Sequence, residues 1–140
     1  PDKVAAVLDG VVRTHQGRVI CFFQPHGYKP TAFLKDEFIK SFANGLRTDD
    51  LLIMPEIYYA GGTAERIISA ADLVSGIQQA GHKNALFIPR REDIPAYFAE
   101  EAQEGDLILL LGARDPTLAS FANDVYNSLS LGRAQDALIG

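Results

Sequence analysis

The sequence of 140 residues contains one cysteine, one methionine and no tryptophan. Because Cys21 has no second cysteine to pair with in this chain, an intramolecular disulfide framework is excluded, and a thiol within an apolar run favours a cytoplasmic location. No apolar run approaches the roughly 20 residues that span a bilayer, so we expect no membrane association. The chain begins at Pro1 and its single methionine is Met54. We therefore expect it to be a piece of a longer protein.

The charge balance is acidic, since 13 Lys and Arg residues against 18 Asp and Glu residues give a net charge of −5. Without clustered positive charge, the chain is a poor candidate for non-specific nucleic-acid binding. The nearest approach to a basic patch, Arg90 and Arg91, is followed at once by Glu92 and Asp93. This charge pattern indicates a solvated loop that enters a helix.

The sequence also lacks the usual signatures of a self-contained active site. It has no glycine-rich phosphate loop ending in Lys-Ser/Thr, and no G-x-G-x-x-G follows its first apolar strand. Its His, Cys and carboxylate residues do not have zinc-site spacing, and no serine lies in a nucleophile elbow. From the residues themselves we therefore assign no catalytic residue and no metal ligand.

Helical and strand-like segments alternate along the chain, which predicts one three-layer, Rossmann-like α/β domain with a mostly parallel sheet. The apolar, β-prone strands are predicted at 19–23, 51–54, 85–88 and 107–111. The predicted helices begin near Asp2, at 31–46, after Ser69, at 94–102 and at 115–129. An additional edge strand from 56–59 or from the tail would give five or six strands. Residues 130–140 show weak periodicity and predict a short helix or a mobile tail.

Polar side chains follow the predicted strands at the edge where parallel sheets bind ligands. His26, Gly27, Tyr28 and Lys29 follow the first strand. Glu56 and Tyr58 follow the second, and Arg114 and Asp115 follow the fourth. The start of a helix after Asp115 would form a mild anion site, reinforced by Arg114.

Each of these residues also has a purely structural interpretation. His26 can bond a backbone carbonyl, and Asp115 before Pro116 is a typical helix N-cap. Arg114 can pair with Glu56 or Asp115. Gly61 and Gly62 indicate a turn, and one of Tyr58 and Tyr59 belongs to the core if the segment is extended.

Four segments together resemble the C-terminal domain of the UDP-N-acetylmuramate–L-alanine ligases, which belong to the Mur ligase family. They occur in the family's order at 17–26, 50–61, 69–82 and 105–115. The first contains an apolar strand that runs into Gln-Pro-His, and the second contains Glu-Ile-Tyr and Ala-Gly. The last is similar to the family's Gly-Asp, strand and Gly-Ala-Gly-Asp segment. The ordered set is more specific than any single motif.

The resemblance implies that residues 1–140 form the third domain of a ligase whose N-terminal and central ATP-binding domains lie outside this chain. Such ligases activate a carboxylate with ATP and magnesium, bound mainly by the central domain, and an amino acid then attacks to form an amide in peptidoglycan synthesis. The implied partners are amino-acid and UDP-sugar substrates and the other domains of the ligase. His26, Gly27, Tyr28 and Lys29 would line the amino-acid side, Glu56 and Tyr58 the facing wall, and 112–115 the cleft border. The isolated domain is expected to be inactive.

The sequence departs from the family pattern around Gln-Pro-His. The alanine ligases carry arginine directly after this motif and again three residues later, where this chain has Gly27 and Pro30. A bidentate grip on a carboxylate is therefore lost there. Lys29 can compensate only as a point charge, and Arg114 offers a guanidinium from another loop. Glu56 replaces the commoner aspartate. These departures leave the amino acid and the acceptor open.

Two alternatives to a ligase domain are compatible with parts of the sequence. The first is a non-catalytic α/β ligand-binding module derived from such ligases, which the altered surroundings of Gln-Pro-His permit. The second is an independent Rossmann-like nucleotide-binding domain, against which the absence of the glycine fingerprint argues.

Overall fold

The computed structural model describes residues 1–59, 65–112 and 117–129 in full, and 134–139 as backbone. The described part contains one sheet of parallel strands in the order β3-β2-β1-β4-β5. The strands are β1 (Val19–Phe23), β2 (Leu51–Met54), β3 (Ala85–Phe87), β4 (Asp106–Leu111) and β5 (Ala134–Ile139). This order confirms the predicted α/β class with a parallel sheet.

Helices cover both faces of the sheet. They are α1 (Asp2–Thr14), α2 (Tyr28–Phe33), α3 (Lys35–Gly45), α4 (Ala70–Gln79), α5 (Ile94–Glu101) and α6 (Leu118–Ser128). A short 3₁₀ turn, Arg91–Asp93, precedes α5. The predicted capping box starts α4: the Ser69 hydroxyl accepts from the Ala71 N–H, and the Asp72 carboxylate accepts from the Ser69 N–H.

The core has two layers because successive strand residues point to opposite faces. In β1, Val19, Cys21 and Phe23 pack on the side of α1, α3 and α4. Ile20 and Phe22 pack on the side of α5 and α6, where the rings of Phe22 and Phe121 lie 4.5 Å apart. Every residue of β1 is buried, which explains its unbroken apolar sequence.

Two arginines form ion pairs at the amino-terminal ends of the strands. Arg18 donates to the Asp106 carboxylate at 2.6 Å and to the Glu101 carboxylate at 2.9 Å. Arg47 donates to Asp50, whose carboxylate also accepts from the Val19 N–H at 2.8 Å. These contacts hold β1 between β2 and β4 at the end of the sheet opposite the candidate site.

Two details of the predicted helices were wrong. The helix predicted at 31–46 is two helices, α2 and α3, which break at Leu34. Apolar spacing reports the buried face of a helix, and a break of one residue scarcely changes it. The helix predicted from 115 begins at Leu118, with Thr117 as its N-cap. The tail supplies the predicted additional edge strand over 134–139, where β5 pairs with β4 along its whole length, and its alternative interpretation as a short helix or mobile tail was wrong there. Residues 56–59 contribute a single bridge at Tyr58 instead of a strand.

Candidate functional site

The carboxyl ends of β1 and β4 form the centre of the candidate site. The chain winds from β1 outward to β2 and β3 on one side, and from β4 to β5 on the other. The loops that leave two such neighbours diverge and open a crevice, where α/β sheets bind ligands. Gln24, Pro25 and His26 follow β1 directly, so the Gln-Pro-His segment lies at this point.

The loop after β1 and the loop after β2 are joined at His26 and Tyr58. The two residues form a parallel bridge: the Tyr58 N–H donates to the Pro25 carbonyl at 2.8 Å, and the Gly27 N–H donates to the Tyr58 carbonyl at 2.9 Å. Their rings lie 5.1 Å apart between centroids. The structure thus brings together two of the predicted site residues, and both rings are half-buried.

A largely apolar cleft of about 210 Å³ opens beside His26, between α1, α2 and the ends of β1 and β4. Its lining includes Lys3, Val4, Val7, Phe23, Gln24, His26, Pro30, Thr31, Leu34, Phe38, Leu111 and Gly112. Pockets that enclose drug-sized ligands measure about 300–1,000 Å³, so this cleft suits a smaller group. We call it the His26 cleft.

A second cleft, of about 290 Å³, lies between the start of α2 and the start of α4. Tyr28, Glu56, Arg66 and Ser69 contribute to its walls. The Tyr28 side chain is buried, and its ring centroid lies 5.5 Å from that of Tyr59. The predicted site residues therefore divide, because His26 lines one cleft while Tyr28 and Glu56 line the other. Lys29 is exposed on α2.

The Glu56 carboxylate lies at the amino-terminal end of α4. One oxygen accepts from the Ile57 N–H at 2.9 Å and from the Ala70 N–H at 2.8 Å. The other oxygen accepts from the Ser69 hydroxyl at 2.7 Å. A negative charge beside the unpaired N–H groups of a helix start is stabilising. These contacts fix the loop after β2 to α4 and give Glu56 a structural task beside its predicted binding role.

Gly27 has a backbone conformation that disfavours arginine or any other residue with a side chain. Its φ is +79°, a region that residues with a side chain rarely adopt, and it is the N-cap of α2. A Cβ at this position would lie 3.2 Å from Cδ of Pro30. Gly27 and Pro30 therefore form one local arrangement, at the two positions where the family resemblance led us to expect arginine.

Gln24 lies at the candidate site and was not among the predicted site residues. Its side chain is 3% exposed, and its amide nitrogen donates to the carbonyls of Pro25, at 2.9 Å, and Glu56, at 3.1 Å. Its amide oxygen accepts from Nη1 of Arg91 at 3.2 Å. The side chain thus links the loops that follow β1, β2 and β3.

The prediction that 90–93 form a solvated loop is wrong for Arg91. Arg90 fits that prediction, since it is exposed and pairs with the Glu92 carboxylate at 3.0 Å. Arg91 is half-buried, bonds Gln24 and Thr117, and lies with Cζ 5.4 Å from the centroid of the Phe121 ring. The sequence offers no signal that separates the two arginines, because their partners come from distant segments.

The predicted residues Arg114 and Asp115 lie outside the described residues, as do Gly61 and Gly62. Within the described ranges, no group of three or more His, Cys, Asp or Glu side chains could hold a metal ion. No helix in the same ranges combines the length and apolar character needed to cross a bilayer.

The class of the protein follows from this fold and from comparison with known families. Residues 1–114 match the family described as "Mur ligase, glutamate ligase domain". The chain therefore belongs to the Mur ligase family, and it corresponds to the C-terminal domain of these ligases.

Its relatives are enzymes named UDP-N-acetylmuramate–L-alanine ligase. The protein from Myxococcus xanthus is 39% identical over 119 residues, covering 84% of this chain and 24% of that protein. The protein from Caulobacter sp. strain K31 is 36% identical over 122 residues, covering 87% of this chain and 25% of the relative. The protein from Pelotomaculum thermopropionicum is 34% identical over 115 residues, covering 82% and 24% respectively. The chain thus spans about a quarter of the length of these relatives.

Proposed function

We propose that residues 1–140 are the substrate-binding domain of an ATP-dependent ligase that joins an amino acid to a UDP-N-acetylmuramate-type precursor in peptidoglycan synthesis. The observation that carries this proposal is the position of Gln-Pro-His. This segment lies at the crevice between the ends of β1 and β4, in the part of the chain that matches the family. The relatives' names supply the acceptor.

The His26 cleft supports the amino acid as the ligand of this domain. Its volume of about 210 Å³ suits a small group, and its walls are mainly aliphatic and aromatic. In this proposal the His26 ring contacts the polar part of the amino acid. Tyr58 holds the ring in place through its own ring, 5.1 Å away. Gly27, Tyr28, Lys29, Glu56, Arg114 and Asp115 complete the proposed binding set.

ATP and magnesium belong mainly to another domain in this proposal. The described residues do not assemble a metal site, and the sequence has no phosphate loop. This chain would close over that domain and exclude water from the reacting groups. The isolated chain is therefore expected to fold without hydrolysing ATP.

A non-catalytic ligand-binding module is the second candidate. The observation that favours it is the combination of Gly27 and Pro30 with the bonded Glu56. Two positions that carry arginine in the alanine ligases lack a charge here, and the Glu56 carboxylate is already held by three donors. A domain that binds a ligand without catalysis would tolerate both changes.

An amino-acid-dependent phosphate-release assay separates the two candidates. The longer protein that contains this chain is incubated with ATP, magnesium and UDP-N-acetylmuramate, and each amino acid is tested in turn. Release with one amino acid supports the ligase and names its substrate. Absence of release across the panel, from folded protein that still binds ATP, contradicts a ligase that uses UDP-N-acetylmuramate. Either the acceptor has then changed or catalysis has been lost, as in the module. The isolated 140-residue chain is the control, and magnesium-dependent ATP turnover by it would contradict the division of roles.

A further inference from the structure

Arg91 lies where the loops around the candidate site meet. It follows β3, and its guanidinium donates through Nη1 to the Gln24 amide oxygen and through Nη2 to the Thr117 hydroxyl. Gln24 belongs to the loop after β1, and Thr117 is the N-cap of α6, which follows β4. One planar cation thus connects segments that follow three different strands.

The orientation of the Gln24 amide is fully determined by these partners. Its nitrogen faces the carbonyls of Pro25 and Glu56, which can only accept, and its oxygen faces Arg91, which can only donate. A reversed amide would set oxygen against two oxygens and nitrogen against a cation. Because Gln24 is almost fully buried, water cannot compensate for that loss.

The same pair contacts the residue that follows β4 and the residue that precedes α6. After β4, a Cβ on Gly112 would lie 3.2 Å from the Gln24 Cβ and 3.3 Å from Cδ2 of Leu118, so the Gly112 backbone packs tightly against Gln24. Before α6, Thr117 accepts from Arg91. Gln24 and Arg91 therefore connect the end of β4 to the start of α6.

We propose that Arg91 is a positioning residue that fixes the Gln-Pro-His segment relative to the start of α6. The inference rests on the proposed function and deepens it, since it names the side chain that sets the distance between the two halves of the site. Arginine is required because its fork reaches Gln24 and Thr117 together, whereas the ammonium of lysine is a single point. The Phe121 ring beneath the guanidinium, 5.4 Å from Cζ, adds to this placement.

The first test follows backbone amide signals by NMR in the labelled 140-residue chain. Thr117→Val removes the hydroxyl, and Thr117→Ser retains it. Thr117 makes no side-chain cap to α6, so neither change removes a helix cap. We expect the valine variant to shift the signals of His26, Gly27 and Tyr58, and the serine variant to restore them. Shifts confined to α6 would overturn the proposal.

The second test measures the kinetics of the longer ligase. Arg91→Lys is compared with Arg90→Lys, the same change at an exposed neighbour. We expect the KM for the amino acid to rise about tenfold in Arg91→Lys, because small displacements of a binding group weaken its contacts, and to change less than twofold in Arg90→Lys. A merely destabilising change would lower kcat through loss of folded enzyme and leave KM unaltered.

The two tests also separate this inference from the proposed function. If the longer protein proves not to be a ligase, the proposed function fails, while the NMR comparison still decides whether Arg91 and Thr117 position the Gln-Pro-His segment. If ligase activity is present and the KM of Arg91→Lys equals that of the unsubstituted enzyme, the positioning role fails and the ligase stands.

Discussion

The imidazole of His26 and the phenol ring of Tyr58 lie 5.1 Å apart on two loops that share a backbone bridge. Because both flanking hydrogen bonds use backbone atoms, the loops should keep their positions when either side chain is changed. The two rings can therefore be tested for binding separately from the fold.

We expect His26→Ala in the longer ligase to raise the KM for the amino acid about tenfold, equivalent to about 1.4 kcal/mol of binding free energy. The change removes the ring that lines the His26 cleft and leaves the backbone bridge. Steady-state kinetics with varied amino acid provide the measurement. Tyr58→Phe is the matched control, since it keeps the neighbouring ring and should change the KM less than His26→Ala. An unaltered KM in His26→Ala would remove His26 from the site.

Glu56 allows its structural and binding roles to be separated by two substitutions. Glu56→Ala leaves the Ile57 and Ala70 N–H groups and the Ser69 hydroxyl without their acceptor, and we expect a loss of about 1–3 kcal/mol in the free energy of unfolding. Glu56→Gln keeps an acceptor oxygen and should lose less than half as much. Urea unfolding of the 140-residue chain measures both. Equal losses would contradict the assignment of Glu56 as an acceptor at the start of α4.

Arg18 and Asp106 form the ion pair that fastens β1 to β4, with Asp106 almost fully buried. Arg18→Met leaves that carboxylate without its cation, and we expect unfolding to become easier by about 3 kcal/mol. Arg13→Met is the control, because the Arg13–Asp9 pair is exposed and should contribute less than about 0.5 kcal/mol. Chemical denaturation distinguishes them, and similar effects for the two variants would show that burial does not govern the pair.

Cys21 makes the free energy of unfolding depend on pH in the alkaline range. Burial raises the pKa of its thiol far above the ordinary value of about 8.5, with a smaller contribution from the Asp50 charge. When the pH exceeds the ordinary thiol pKa of about 8.5, the unfolded chain loses the thiol proton while the folded chain keeps it. This contribution to the free energy of unfolding is therefore complete below about pH 8.5 and falls by about 1.4 kcal/mol per pH unit above it.

Urea unfolding of the parent chain and Cys21→Val at pH 7 and pH 10 tests this expectation. Valine fills a similar volume and carries no proton, so the variant should lose less stability between the two pH values. A thiol reagent should also leave native Cys21 unmodified and label it in denaturant. Rapid labelling of the native chain, or identical pH dependence in both proteins, would contradict a buried neutral thiol.

The central strands were predictable because strands that are buried on both faces have runs of consecutive apolar residues. The run from Leu107 to Leu111 is apolar at every position, as two covered faces require, and the structure begins the strand one residue earlier, at Asp106. The break at Leu34 was not predictable, because α2 and α3 bury faces that continue the same periodic pattern. The tail was predicted as an edge strand, a short helix or a mobile segment, because a strand with one neighbour leaves little signature in its sequence.

The candidate site was predictable where it depends on the ends of strands. His26 and Tyr58 follow neighbouring parallel strands, so their proximity follows from the topology. Gln24 and Arg91 were not predictable as a pair, since their hydrogen bond joins residues from distant parts of the chain and resembles no local motif. Glu56 was predicted as a ligand, whereas its bonds to the start of α4 depend on how the loop after β2 folds back.

The pairing of β1 with β4 also governs the order in which the chain can fold. β1 is synthesised well before its partner on one side, Asp106–Leu111, because most of the described chain lies between them. Until then β1 can pair with β2 alone, and its other edge is an unsatisfied row of backbone donors and acceptors flanked by apolar side chains. Such edges invite pairing with other chains, so a nascent chain that ends before Asp106 is the species most exposed to aggregation.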